Sequence, residues 1–538
     1  MRTSNRKTIA ASLAVVSLTM AACGSSKGGG AASTTVAGGG AATTAGTTAT
    51  TAGATTTVAS TATTAAAAQP TTEAAWEALW KTQRDAIIKR ITDNKWGLSA
   101  DGKTITGPEG FTIDVSKCAA GWNNVEGLTD TDIKIGQAIA QSGTLAAYGQ
   151  IAIGLQSHFD VLNKAGGITD STGKSRKITY IAKDDGYDAA RTVPLVDELI
   201  DSDKVFLVWT LGSPNTLATY DKLNARCIPQ PFAMTGHPAW GDPVNHPWTT
   251  GAQMAYSTEA VLWGGFIEQH AAELKGSDGK ITIAGLVINN DFGAAYDGGL
   301  KSWIAKSPLK DSINYVTEKI EPTAPTITDP MTTLASKKPA VFIAETAGVT
   351  CTQAIIEAAQ DGLKDSAKYL FQPSVCKSNS FVGKDKVGGD GSAANGWWVI
   401  GGDAKDISSP AYDNDPWAQA MRAELTAAGV DWKKQTLTLT GEAYAWPMEQ
   451  ALRIASALPG GLTRANYIVA VRSMDMTSPA LIGGQFTMDG NKDAYFTETS
   501  DIAKYDAAKQ SFVQQGALID LAGQSPNCHW DQQKGTCV

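Results

Sequence analysis

Histidine is scarce in this chain, and the motifs by which enzymes are usually read are missing. The five histidines, His158, His237, His246, His270 and His529, stand at no metal-ligand spacing. There is no Gly-x-Ser-x-Gly elbow, no His-Glu-x-x-His pair and no P-loop, which leaves a surface hydrolase or any other enzyme disfavoured. Charged residues make up only 18% of 538, the net charge is -8, and no basic cluster alternates with aromatics, so nucleic acid is not an expected partner. That acidity says little about a ligand, because it mostly describes the solvated surface. Beyond the extreme N-terminus no apolar run approaches the roughly 20 residues that a membrane-spanning helix needs. No Cys-x-x-Cys pair or clustered histidine accompanies the seven cysteines, which speaks against zinc or another metal, and nothing suggests a cofactor.

What is present begins with an export signal. Arg2, Arg6 and Lys7 precede the apolar run Ile9 to Leu18, followed by Thr19-Met20-Ala21-Ala22-Cys23-Gly24. Residues 1–22 therefore read as a signal peptide, too short to be retained as a spanning helix. Small residues before a cysteine look like a bacterial lipobox, so Cys23 is expected to carry lipid and anchor the chain to the cell membrane outside the cytoplasm. Met20 departs from the usual Leu of that box, and the plainer alternative is ordinary cleavage near Ala22. Residues 23–75 are Cys23 followed by an Ala/Thr/Gly-rich tether with no apolar face to bury. As a flexible coil, roughly 50 residues reach about 40 Å.

With Cys23 assigned to lipid, six cysteines remain, and an even number outside the cell reads as disulfides. Six allow fifteen pairings, among which the sequence does not choose. Cys528 with Cys537 closes a short C-terminal loop, Cys351 with Cys376 joins neighbouring units, and Cys118 with Cys227 is what then remains.

A length of 538 residues exceeds what one core organises, so two or more domains are expected. Residues 76–128 form an extension. Trp76, Trp80, Ile87 and Ile91 share one face at helical spacing, with Lys81, Arg84, Lys89 and Arg90 mostly elsewhere, which predicts a helix packed on the body; a surface-lying or partner-docking helix is the alternative. Leu98 to Val115, with Asp101-Gly102 and Gly107-Pro108, reads as a small hairpin. The body then alternates strands (133–140, 177–182, 205–210, 230–234, 281–288, 313–320, 340–344, 369–372) with helices (147–164, 189–200, 257–275, 352–362, 441–457). Such alternation predicts an α/β fold of parallel sheets covered by helices.

Two strand signals end in a Ser/Gly turn that opens a helix, at Ser142-Gly143 and at Gly212-Ser213-Pro214. Small molecules bind outside the carboxyl ends of strands in open α/β sheets, where helix N-termini offer free N–H groups. Ser213 followed by Pro214 reads as a cap and first helical residue. Together with Tyr148-Gly149, Asn163-Lys164-Ala165-Gly166-Gly167-Ile168, Lys183-Asp184-Asp185, Ala189-Ala190 and Thr216, in this order, these pieces resemble the branched-chain amino-acid (leucine/isoleucine/valine-binding) type of periplasmic binding protein. The resemblance spans roughly residues 129 to 520. It implies a two-lobed Venus-flytrap of type I, each lobe a mainly parallel sheet flanked by helices. Lobe 1 takes 129–250 plus 403–480, lobe 2 takes 251–402 plus 481–538, and three hinge crossings fall near Thr250, Gly402 and Gly483.

The resemblance also implies a site. Ser213 and Thr235 match hydroxyls that hold a ligand carboxylate, Tyr148 an aromatic at the cleft edge, and Ser142 lies in the first of the two turns. Phe292 falls where the family has a tyrosine, and Ser374 falls where it has the acid that pairs with the ligand ammonium. A buried ammonium without a charge partner is costly. Glu345, ending the 340–344 strand, is the candidate replacement, and a solvated loop glutamate is its bland alternative. Trp209, Met234 and Trp240 read as apolar wall or core. Asp489-x-Asn491-x-Asp493 has the start of a calcium loop, but Ala494 and Ser500 stand where glycine and glutamate are needed, so a hairpin turn is expected. By resemblance the chain is a monomeric, lipid-anchored capture protein for a small polar ligand, an amino acid or a related amide or carboxylate, serving an ABC permease and its ATPase; a ligand-sensing receptor lobe is the alternative.

Overall fold

The computed structural model describes residues 69–538. The signal segment, Cys23 and most of the tether lie outside the described residues. Among the described residues no helix is long and apolar enough to cross a membrane. The first helix, Glu73–Asp93, starts inside the expected tether, where the Thr72 hydroxyl accepts from Ala75 N at 3.1 Å. Its buried face is Trp76, Trp80, Arg84, Ile87 and Ile91. Trp80 Nε1 donates to Thr477 O at 2.9 Å, which seats the helix on the body. Arg84 joins that face rather than solvent because Gln450 Oε1 satisfies its guanidinium at 2.6 Å. The expected hairpin has an extra strand: Gly97–Leu98, Thr104–Thr106 and Thr112–Asp114 form an antiparallel sheet of three.

Two larger sheets organise the rest. The first has the order Ile168–Thr169, Ser175–Asp184, Asp132–Ile139, Leu207–Thr210, the last three strands parallel. Val208 N bonding Pro229 O, and Met234 N bonding Thr210 O, bring Gln230–Ala233 alongside. The second has seven strands in the order Ile313–Ile320, Ile281–Ile288, Val341–Glu345, Tyr369–Gln372, Trp398–Ile400, Ile502–Asp506, Ser511–Gln514. Its first five strands are parallel and the last two antiparallel. Ile281–Ile288 is almost wholly buried, as a strand covered on both faces must be.

The chain passes between the sheets three times, after Gly251, around Gly401 to Asp403, and before Thr499. Between the second and third passages, helices Pro416–Ala427, Leu437–Ala457 and Arg464–Arg472 return to the first sheet. Leu437–Ala457 lies against Gly149–Lys164 at backbone distance: a Cβ on Gly154 would stand 1.9 Å from Thr438 O. Only glycine permits that approach. Disulfides join Cys118 to Cys227, Cys351 to Cys376 and Cys528 to Cys537. Asp489 and Asp493 pair across a tight turn, as a hairpin requires.

Candidate functional site

A cavity of about 210 Å³ opens between the two sheets, at the carboxyl ends of their strands. Leu211 and Gly212 follow the strand Leu207–Thr210, and Met234 and Thr235 follow Gln230–Ala233. The Ser213–Ala225 helix begins there, with Gly212 rather than Ser213 as its N-cap. The Ser213 side chain does not cap. Its Oγ lies 2.7 Å from Thr235 Oγ1, so Ser213 stands one hydroxyl behind the wall and Thr235 faces the cavity. Trp240 Nε1 donates to Thr235 O at 3.0 Å and fixes the turn from outside. Met234 is wall, and Trp209 is core, fully buried with Nε1 on Phe232 O.

From the second sheet come Phe292, at the start of the Asp291–Lys306 helix, then Ala347 and Ser374. Tyr148 spans the two sides: its hydroxyl accepts from Gly348 N at 3.1 Å, and burial lifts the phenol to about 12. Thr144 Oγ1 donates to Pro322 O at 3.0 Å along the same seam. Thus Tyr148, Thr235, Phe292 and Ser374 meet around one space, with Ser213 behind them.

Two candidates are elsewhere. Ser142 is exposed on its turn and is not part of the wall. Glu345 is fully buried and also outside it, because its side chain leaves the strand toward Tyr315, whose hydroxyl bonds Glu345 Oε1 at 3.1 Å and Asp297 Oδ1 at 3.1 Å. Burial, with Asp297 nearby, pushes the Glu345 carboxyl well above its ordinary range. It is neither a solvated loop residue nor a partner for a ligand in this cavity.

Several wall residues escaped the sequence reading. Tyr187 has φ +61, a strained value for a non-glycine residue, and its amide is held at 2.9 Å by Asp185 Oδ1. Asp185 in turn accepts from Thr192 Oγ1 and Asn215 Nδ2, both at 2.9 Å. The signal was available, since Tyr187 follows Lys183-Asp184-Asp185 at a strand's carboxyl end. Tyr256, Gln253, Tyr444, Trp446 and Phe486 add rings and an amide from the first crossing, the Leu437–Ala457 helix and the strand Gln485–Thr487. The charged wall residues are Lys377, Lys405 and Asp406. Lys377 is paired with Asp501 at 2.7 Å and Lys405 with Asp415 at 2.8 Å. Behind Ser374 lies Glu259, fully buried, accepting from Ser374 N at 2.7 Å, Ser374 Oγ at 2.9 Å and the Tyr296 hydroxyl at 2.8 Å. Burial raises Glu259 to about 7 despite those three donors.

A family model described as periplasmic binding protein matches residues 132–510. No curated protein matches the chain. Among solved structures, the fatty acid ABC transporter substrate-binding protein from Thermomonospora curvata is 19% identical, with 75% of this chain and 96% of that chain covered, at a TM-score of 0.59. A branched chain amino acid ABC transporter from Thermus thermophilus with bound valine is 15% identical, covering 73% and 97%, at 0.60. A solute binding protein of an ABC transporter from Rhodopseudomonas palustris BisB5, in complex with 3,4-dihydroxy benzoic acid, is 18% identical, covering 73% and 98%, at 0.57. At such identities the likeness establishes the fold: a two-lobed α/β flytrap of type I.

Proposed function

The chain belongs to the periplasmic binding protein family, a family of extracytoplasmic ligand capture, and on that premise we propose that it is a lipid-anchored solute-binding protein delivering a small amphipathic carboxylate to an ABC importer. Two lobes, one built on the four-stranded sheet and one on the seven-stranded sheet, close on the solute about the three passages between them. Cys23 carries the lipid, and the tether holds the body off the membrane.

The observation that carries the ligand class is the cavity wall. It is lined by Tyr148, Tyr187, Tyr256, Phe292, Tyr444 and Trp446, which suit an apolar body. Thr235, backed by Ser213, offers a hydroxyl at a helix N-terminus, where a carboxylate is favoured. Ser374 stands where an ammonium would seek an acid, and the carboxylate behind it is already saturated by its own donors.

A thermal-shift screen tests this with benzoate, 3,4-dihydroxybenzoate, octanoate, valine and the matched pair leucine and 4-methylpentanoate, which differ by the ammonium. A ligand that binds only the folded state raises Tm by mass action. Shifts from the plain acids, with 4-methylpentanoate exceeding leucine, are expected. Shifts confined to leucine and valine would refute the ligand class, and no shift with any of the six would refute capture of such solutes altogether.

A further inference from the structure

A half-buried cluster on the far side of the Leu437–Ala457 helix from the cavity has the build of a metal centre. The ligand atoms of His158, Glu424 and Glu442 all lie within 4.8 Å of one another. They come from three helices, Gly149–Lys164, Pro416–Ala427 and Leu437–Ala457. The Gly154 contact with Thr438 brings the first and third of these together.

The donor geometry is specific. His158 Nδ1 lies 3.2 Å from Glu442 Oε2 and 3.9 Å from Glu424 Oε2. Donors around a zinc-sized ion with bonds of about 2.0–2.2 Å are separated by roughly 3.3–3.6 Å along a tetrahedral edge, a range that the two separations lie just below and just above. On the other side of the ring, His158 Nε2 meets Glu449 Oε2 at 2.9 Å, and Arg453 Nε holds Glu449 Oε1 at 2.6 Å. A metal-ligating histidine characteristically gives its second N–H to a carboxylate, which fixes the tautomer and aims the free nitrogen. With Nε2 protonated toward Glu449, the Nδ1 lone pair points at two carboxylates, an arrangement that requires a cation between them or a proton on the ring.

The second observation is unmet polarity. Glu442 has no solvent exposure, yet its Oε1 has no hydrogen-bond partner among the described residues, and neither has the buried Glu424 Oε2. Three carboxylates face one guanidinium and one imidazole. Charging His158 with a proton leaves one negative charge in excess, whereas a divalent ion on neutral His158 balances Glu424, Glu442, Glu449 and Arg453. We propose that His158, Glu424 and Glu442 bind one divalent transition-metal ion of the zinc class, with Glu449 as a positioning residue.

The full chain, stripped with chelator, is dialysed to equilibrium against buffered Zn²⁺ and its metal content measured. One Zn²⁺ per chain is expected, with an affinity that calorimetry measures. His158→Gln and Glu424→Gln should each weaken binding at least tenfold, and Glu449→Gln by about 10- to 100-fold. Glu424 is partly exposed and its amide is nearly isosteric, so this variant keeps the fold should His158→Gln disturb it; thermal melts check both. His529→Gln, which alters a histidine bonded through Nδ1 to Asp242 Oδ2 at 2.7 Å outside the cluster, should leave stoichiometry and affinity unchanged. Wild-type protein that takes up no stoichiometric zinc, or binding that survives both His158→Gln and Glu424→Gln, overturns the proposal and leaves His158 as a protonated counter-ion. The solute reading stands or falls separately, because neither outcome touches the cavity.

Discussion

Closure can be tested at a single glycine. Gly348 follows the strand Val341–Glu345 with φ +61 and ψ -135, and a Cβ placed on it would stand 2.1 Å from Leu145 Cδ2 on the opposite side of the cleft. Gly348→Ala therefore acts twice. The dihedral strain falls on the second lobe whether or not the lobes meet, and lowers stability by about 1–3 kcal/mol. The collision with Leu145, which is nearly fully buried, exists only when the lobes close, so it lowers affinity instead. Overpacking a filled contact costs about 1–3 kcal/mol, which corresponds to about 5- to 140-fold weaker binding. Isothermal calorimetry with the strongest ligand from the screen measures that loss, and Leu145→Ala in the same chain should restore most of it while the stability defect persists. Unchanged affinity in Gly348→Ala, or a double variant no better than the single, would refute the idea that the Tyr148 to Gly348 seam is the closing contact.

Three further outcomes are expected. Thr235→Ala should weaken carboxylate binding by roughly 1.5–3 kcal/mol, and Ser213→Ala, which acts only through Thr235, by less, both with the fold retained and measured by the same calorimetry; unchanged affinity in both removes the hydroxyl pair from the site. Cys23→Ala should move the protein from the membrane fraction to the extracytoplasmic fluid without changing its melting temperature, and retention after a salt wash would count against a lipid anchor. Glu259 has a folded value of about 7 against an ordinary 4.5, so between these pH values the folded state keeps a proton that the unfolded chain has released. Its contribution to stability is full below about pH 4.5 and is lost as pH rises to about 7, a change of up to about 3 kcal/mol. Urea titrations of Glu259→Gln at pH 5 and pH 8 should show the variant gaining on the wild type at the higher pH, and parallel behaviour of the two proteins would remove that assignment.

The long parallel strands were legible because burial on both faces leaves continuous apolar runs, as in Ile281–Ile288, closed by polar turns. Trp398–Ile400, Ile502–Asp506 and Ser511–Gln514 were not, since each is only three to five residues long and the last two join antiparallel at one end of the sheet, outside the strand–helix alternation. Arg84 shows a general weakness of reading charge as solvent-facing: pairing with Gln450 lets it sit in the same stripe as Trp80 and Ile87. The Ser213-Pro214 start located the helix but misassigned the cap, because the Ser213 hydroxyl found Thr235 across the turn instead of its own backbone. The three disulfide pairs could be named as candidates among fifteen pairings that the sequence does not decide between, whereas His158, Glu424 and Glu442 offered no such signal, since 266 residues separate the histidine from the nearer glutamate and only packing brings them together.

The cavity's charge balance follows from one displaced carboxylate. With serine at position 374, the acid nearest that point is Glu259, from the Tyr256–Gln269 helix, and it meets Ser374 from behind. Both its oxygens are engaged, and burial brings it to about 7, so part of its charge is already quenched by a proton. Lys377 and Lys405 cannot offer uncompensated positive charge either, because Asp501 and Asp415 hold them at 2.7 and 2.8 Å. Asp406 is committed as well, accepting from Ser408 and from Asn379 N, with its carboxyl pushed up by burial. On the proposed reading, a closed cleft with its lysines paired favours a solute whose charge it can meet with dipoles: a carboxylate would use the Thr235 hydroxyl and the N-terminus of the Ser213–Ala225 helix. An ammonium would find only Asp406, whose carboxyl is already hydrogen-bonded and pushed up by burial, and closing water out around it would otherwise leave a buried charge without a partner.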